Sequence, residues 1–169
     1  KSHAKTTDKL ILVYLIAVVG VGSLLFHTLA NRWSMLADMI PIAVFIYYGF
    51  GVFLYRSCGL KIKYSVLGVI LYAVLSIIWQ KTVPPDALNR SVQYIPALAL
   101  LAGFAVYTKA KPFILAALVF VASLILRSFD MQICNALPVG IHFMWHILNG
   151  IVLYLVVAGI MRDKPFRSG

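Results

Sequence analysis

Six long apolar stretches divide this sequence and constrain its fold more than any other feature. They cover residues 10–28, 35–55, 64–79, 92–107, 113–129 and 140–160. A helix needs about 20 apolar residues to cross the hydrocarbon core of a bilayer, and the third and fourth stretches are short for that. Each stretch is apolar around the whole helix, as lipid-facing helices are. The sequence therefore predicts an all-α fold, a polytopic transmembrane helix bundle with six spans.

Composition excludes a water-soluble domain. Apolar residues make up 62% of the chain and charged residues only 12%, whereas soluble domains are nearer half apolar and a quarter charged. A chain of this length has too small a core to hide that much apolar surface. The connecting segments are too short for a further domain, so residues 1–169 are predicted to form a single transmembrane domain, with no visible signal peptide.

The basic residues indicate the orientation in the membrane. The chain carries a net charge of +10, but its Lys and Arg lie between the apolar stretches rather than in one patch, so no nucleic-acid partner is expected. If all six spans cross, one side holds eleven basic residues and the other holds four. The richer side is predicted to be cytoplasmic and to hold the C-terminus. Its members are Lys1, Lys5, Lys9, Arg56, Lys61, Lys63, Lys109, Lys111, Arg162, Lys164 and Arg167, and the poorer side holds Arg32, Lys81, Arg90 and Arg127.

Five polar residues lie within the apolar stretches, where ionisable groups are costly and usually functional. His142 and His146 are four residues apart and share a helical face, as do Ser23 and His27 in the first span. Asp38 lies near the start of the second span. The predicted topology places all five near the non-cytoplasmic side, at one depth.

Such a group of side chains is suited to metal-dependent hydrolysis. Three imidazoles, from His27, His142 and His146, match a catalytic zinc site that keeps one position for water, and zinc lowers the pKa of that water to near 7. Asp38 is expected to carry a proton to the leaving group, and Ser23 to hydrogen-bond the developing oxyanion. The residues thus predict an amide or ester hydrolase with a pocket open to lipid.

Other interpretations of these residues stay open. The pair His142 and His146 is also typical of haem ligands, as in an electron carrier, or of hydrogen bonds between helices. Ser23 is equally well explained as a small residue at a packed helix face, without a catalytic role. A transporter or receptor-like bundle could use the same His and Asp side chains to relay protons or sense a ligand. Arg127 and Asp130 are expected to form at most a structural ion pair, without a chemical role.

Glycine and proline positions carry further structural expectations. Gly20, Gly22, Gly49 and Gly51 are expected to allow close approach between helices. Pro41 is expected in the opening turns of its helix, where proline is tolerated. Cys58 and Cys134 fall on opposite faces of the predicted topology, so no disulfide is expected between them.

Three short motifs resemble the alkaline ceramidases and the wider superfamily of membrane hydrolases that includes the adiponectin receptors. They are Ser-Leu-Leu-Phe-His at 23–27, Asp-Met-Ile-Pro at 38–41 and His-Phe-Met-Trp-His at 142–146. The resemblance implies that His27, His142 and His146 bind Zn²⁺, that Asp38 works with the zinc water and that Ser23 stabilises the oxyanion. It also implies a ceramide-like lipid substrate, cleaved at its amide to a fatty acid and a sphingoid base.

The chain departs from that family in two ways. The family has seven spans, with the Ser and His of the first motif in its second helix, whereas six are visible here; the first family helix is expected to be missing from this chain or from this member. The acidic calcium-binding cluster of the alkaline ceramidases has no counterpart before Leu10. Calcium regulation therefore does not follow from the resemblance.

Overall fold

The computed structural model describes residues 2–133 and 141–161 and contains only helices and their connections there. Six helices are long and apolar enough to cross a membrane, which confirms the all-α transmembrane fold class. The helices are α1 (Ser2–Leu29), α2 (Arg32–Val52, continued by a π-helical turn at Phe53–Ser57), α3 (Ile62–Thr82), α4 (Ile95–Thr108, preceded by a 3₁₀ turn at Ser91–Tyr94), α5 (Lys111–Ile133) and α6 (His142–Ile160).

The helices extend beyond the apolar stretches that predicted them. The third apolar stretch, which is short for a crossing, belongs to a helix of 21 residues. The fourth gains its length from the 3₁₀ turn, so that Ser91–Thr108 reaches 18 residues. The polar segment before Leu10, which lies outside the first apolar stretch, is also helical and continues α1 back to Ser2. Polar ends of a span suit the headgroup region of a bilayer, so hydropathy alone underestimates helix length.

A two-residue turn joins α1 to α2. Ala30 adopts a left-handed conformation, with φ of 47°, and ends α1. Asn31 then caps α2: its Oδ1 accepts a hydrogen bond from the Ser34 backbone N–H at 3.0 Å, and its own N–H donates to the Ser34 hydroxyl at 3.2 Å. Such reciprocal capping satisfies two helix N–H groups that otherwise lack partners. The chain therefore reverses direction within one tight turn.

A partly buried ionic cluster joins α1 and α2 at the opposite end of this hairpin. The Arg56 guanidinium, in the π-helical turn, donates to the Asp8 carboxylate on α1. The Tyr48 hydroxyl donates to the other carboxylate oxygen of Asp8 at 2.8 Å. The Asp8 and Arg56 side chains are each 19% exposed, which shields their interaction from water and makes it stronger than a surface ion pair.

Near the turn, α1 and α2 touch through their backbones. A Cβ atom on Gly22 would lie 2.7 Å from the Ala37 carbonyl carbon and 3.1 Å from Asp38 Cα, and would meet the Ala37 carbonyl oxygen as well. That oxygen lacks its usual helical partner, because Pro41, four residues on, has no N–H to donate. Pro41 thus lies inside α2 rather than in its opening turns, and the expectation for it was wrong.

Of the four glycines expected at close contacts, only Gly22 meets backbone. A Cβ on Gly49 or Gly51 would meet side-chain carbons at 3.5 Å or more, which is ordinary contact. A Cβ on Gly20 would meet nothing within 4 Å, so the expectation fails there.

Hydrogen bonds and ring contacts hold the second group of helices, from the end of α3 to α6. The Trp79 indole N–H on α3 donates to the Val92 carbonyl at 2.9 Å, and the Ser91 hydroxyl contacts the Leu124 carbonyl on α5 at 3.4 Å. The Phe104 and Phe113 rings meet edge to face at 5.4 Å, joining α4 to α5.

Large apolar side chains remain exposed along all six helices. On α3, for example, Leu67, Leu71 and Leu75 are each more than half exposed. A soluble monomer rarely exposes so much apolar surface, whereas lipid accommodates it. The chain is therefore a multi-pass membrane protein. Cys134 and the basic residues Lys1, Arg162, Lys164 and Arg167 lie outside the described residues, so the expectations that involve them remain predictions.

Candidate metal centre

The helix that carries two of the predicted ligands is anchored through Trp145. This side chain is 5% exposed, and its ring packs against Tyr94 at 4.9 Å and Phe120 at 6.3 Å. One turn further along α6, Asn149 Oδ1 accepts a hydrogen bond from the Ser123 hydroxyl at 3.2 Å. Ser123, fully buried on α5, thus holds α6 by a polar contact beside the aromatic one.

The two histidines of α6 share a helical face, as their spacing predicts. The rings of His142 and His146 lie edge to face, with centroids 5.0 Å apart, and both residues are half-buried. His142 is the first residue of the helix. Side chains four apart in a helix stand one above the other, which allows two imidazoles to ligate one ion.

A buried carboxylate lies against the start of this helix. Asp130, near the end of α5, is 7% exposed. Its Oδ1 accepts a hydrogen bond from the Ile141 backbone N–H at 2.8 Å, and its Oδ2 lies 3.3 Å from Nδ1 of His142. From the sequence, Asp130 was expected to have no role beyond a possible ion pair with Arg127.

Among the described residues, no ion pair joins Asp130 to Arg127, so that expectation was wrong. The Arg127 guanidinium instead lies over the rings of Tyr94 and Trp145, at 5.4 and 4.8 Å from their centroids. Such a stacked cation is stabilised by the ring faces. The Asp130 carboxylate lies at the N-terminus of α6, where a negative charge is favourable.

The three predicted zinc ligands lie on two helices. His142 and His146 stand together on α6, and His27 lies on α1, where it is exposed. Three tetrahedral ligands bound to zinc at roughly 2.0–2.1 Å are expected to lie about 3.3 Å apart. That all three histidines bind one ion remains a prediction.

Ser23 and Asp38 lie on adjoining turns of the α1–α2 hairpin. Gly22, directly before Ser23, packs on the backbone of Ala37 and Asp38. Both predicted catalytic side chains are half-buried. The helix contact therefore sets the distance between the two backbone segments that carry them, while their positions relative to a bound metal and substrate remain predictions.

An apolar groove of about 770 Å³ runs along the α4 side of α5. Its wall includes Val92, Ile95 and Leu98 on one side and Val121 and Ile125 on the other. The volume falls within the range of small-molecule pockets, and the lining suits hydrocarbon.

Comparison with protein-family models, curated proteins and solved structures finds no match to this chain. The resemblance to the alkaline ceramidases therefore rests on the three motifs alone, and what it implies for activity is treated below as a proposal.

Proposed function

We propose that this chain is a zinc-dependent intramembrane hydrolase that cleaves the amide bond of ceramide-like lipids to a fatty acid and a sphingoid base. The observation that carries the proposal is the His142 and His146 pair, whose rings stand edge to face on α6 with centroids 5.0 Å apart. His27 is the third ligand expected from the sequence. Three histidines are a donor set that suits zinc and leaves a fourth position for water. Placing ionisable side chains in an apolar bundle costs free energy, so a group of them indicates a functional site.

Zinc bound by His27, His142 and His146 would supply a Lewis acid and a water activated near neutral pH. The chain itself supplies the remaining groups. The Ser23 hydroxyl would donate a hydrogen bond to the substrate carbonyl oxygen as negative charge develops there. The Asp38 carboxylate accepts a proton and passes it to the departing amine nitrogen. One water is consumed, and the carbonyl–nitrogen bond breaks.

A lipid substrate agrees with the surroundings of these residues. The helices expose apolar side chains to the bilayer, and the connections between the described helices are short. An amide lipid would therefore reach the site from within the membrane. The apolar groove along α5 offers a surface for an acyl chain. By the charge distribution, the C-terminus is cytoplasmic and the metal site faces the non-cytoplasmic leaflet.

The first test is metal content. Purified wild-type protein should hold about one zinc per chain, since a structural or catalytic zinc site binds a single ion. His142→Ala should lose most of it, because two imidazoles hold zinc poorly. His3→Ala, which removes the fourth histidine of the sequence, is the matched control and should retain the metal. Equal zinc in the His142→Ala and His3→Ala variants would refute the ligand assignment.

The second test is product formation from a ceramide-like lipid, followed by mass spectrometry. Asp38→Ala should lower turnover by roughly 10²–10⁴-fold, the usual effect of losing a general acid–base group. Ser23→Ala should also lower it. Asp86→Asn is the control for the aspartate, because Asp86 is exposed. Ser65→Ala is the control for the serine, because the Ser65 hydroxyl contacts the Lys61 carbonyl one turn earlier and Ser65 does not line the apolar groove.

The competing functions predict different outcomes. A transporter or receptor-like bundle would bind or move a ligand without releasing an acyl chain, and would tolerate Ser23→Ala. A haem carrier would show a Soret absorption band. Either result, together with no acyl release by the zinc-loaded wild type, would contradict the proposed hydrolase.

A further inference from the structure

Asp130 is a buried carboxylate whose two oxygens have separate partners. Oδ1 accepts the Ile141 backbone N–H at 2.8 Å, and Oδ2 lies 3.3 Å from His142 Nδ1. At 7% exposure the carboxylate has little contact with solvent, and burial of such a group is costly unless it is paired. One carboxylate therefore holds both the backbone and the ring at the first turn of α6.

The contact with Nδ1 favours one tautomer of the His142 ring, the one with its proton on Nδ1. A neutral imidazole that carries its proton on Nδ1 has its lone pair on Nε2. Histidines that bind metals almost always donate the other ring N–H to a carboxylate, a carbonyl or a water, which fixes both tautomer and orientation. Asp130 is placed to accept that proton, and it is anchored to the same helix turn through Ile141.

We propose that Asp130 is a positioning residue for the metal centre, holding the His142 ring through Nδ1 so that Nε2 is available as the ligand. The inference rests on the proposed zinc site. It adds to that site the group that orients one of its ligands before the metal binds. In this role Asp130 is not itself a ligand and acts only through His142.

A purely structural role is the competing explanation, because a carboxylate at a helix N-terminus also caps the helix. Asp130→Asn separates the two roles. The asparagine carbonyl can still accept the Ile141 N–H and preserve the cap. Its amide N–H₂ would then face His142 Nδ1 and favour the opposite tautomer, with the proton on Nε2. Asp130→Ala removes both interactions, and Asp86→Asn makes the same chemical change at an exposed aspartate.

The experiment measures zinc affinity by competition with a chelator, and thermal unfolding of the metal-free protein, for wild type and the three variants in one detergent. Loss of such a partner typically weakens metal affinity 10–100-fold. We expect that loss for Asp130→Asn, with a metal-free unfolding temperature near that of wild type. A tenfold weaker site corresponds to about 1.4 kcal/mol less stabilisation by saturating zinc. Asp86→Asn should match wild type in both measurements.

Cobalt substitution gives a readout that a cap would not change. The visible absorption of Co²⁺ bound to wild type should change in position or intensity for Asp130→Asn, because the ring orientation differs. If wild type binds zinc tightly and Asp130→Asn binds it equally well, the positioning role is overturned and the proposed hydrolase stands. If wild type binds no zinc, the proposed metal site fails and this inference fails with it.

Discussion

The contact between Gly22 and α2 predicts a large effect from one methyl group. In Gly22→Ala, the added Cβ would lie 2.7 Å from the Ala37 carbonyl carbon and 3.1 Å from Asp38 Cα. Carbon atoms in contact favour a separation of roughly 3.5–4.0 Å, so the two backbones would have to move apart by about 1 Å. Both atoms belong to backbone, which cannot rotate away as a side chain does.

Gly20→Ala is the matched control for this substitution. It lies on the same helix, and its added Cβ meets nothing within 4 Å. Both substitutions gain the same helix propensity, so the difference between them isolates the overpacking at Gly22. Overpacking typically costs 1–3 kcal/mol, and we expect Gly22→Ala to be less stable than Gly20→Ala by about that amount.

Hydrolysis should fall as well as stability. The added methyl would move the segment that bears Ser23 away from the one that bears Asp38. A displacement of about 1 Å near reacting groups can lower a rate by roughly 10²-fold. Thermal unfolding and lipid turnover of the two alanine variants measure the two effects. Equal stability for Gly22→Ala and Gly20→Ala would refute the backbone contact, and equal turnover would refute its role in placing the catalytic side chains.

Three further substitutions test the contacts that hold the helices together. Asp8→Asn should destabilise the protein by roughly 1–3 kcal/mol in thermal unfolding, because Arg56 then lacks its carboxylate partner. The loss should be smaller than the roughly 3–5 kcal/mol typical of a fully buried pair, because both side chains are only partly buried. Asp86→Asn, at an exposed pair 3.8 Å long, should change stability by less than about 1 kcal/mol; equal losses would contradict the difference in burial. Trp79→Phe removes the N–H that binds the Val92 carbonyl and should cost roughly 1 kcal/mol in the same measurement, and no loss would show that this bond contributes nothing.

The fold was predictable from sequence because lipid imposes a simple rule. A span must be apolar and helical, so six apolar stretches predicted six helices. Hydropathy did not reveal where each helix ends. Asp8 illustrates the reason: its charge marks it as part of a polar tail, yet an ion pair with Arg56 and a hydrogen bond from Tyr48 place it inside a helix contact. Such pairs depend on residues about 40 to 50 positions apart.

The candidate site was predictable where spacing alone decides geometry. His142 and His146 share a face because a helix turn contains about four residues. The contact of Asp130 with His142 was missed because the eleven residues between them do not specify a distance. An acidic residue near the end of an apolar helix, shortly before a His pair, was the available signal. The backbone contact of Gly22 likewise could not be told from the open position of Gly20, since both are glycines on one helix.

Zinc-edge X-ray absorption of the purified wild-type protein tests the proposed metal centre most directly. Fine structure from a site formed by His27, His142 and His146 should show three imidazole nitrogens at roughly 2.0–2.1 Å, with one further light ligand. A metal-free protein, or a spectrum dominated by sulfur at roughly 2.3 Å, would contradict the three-histidine site and the hydrolase built on it.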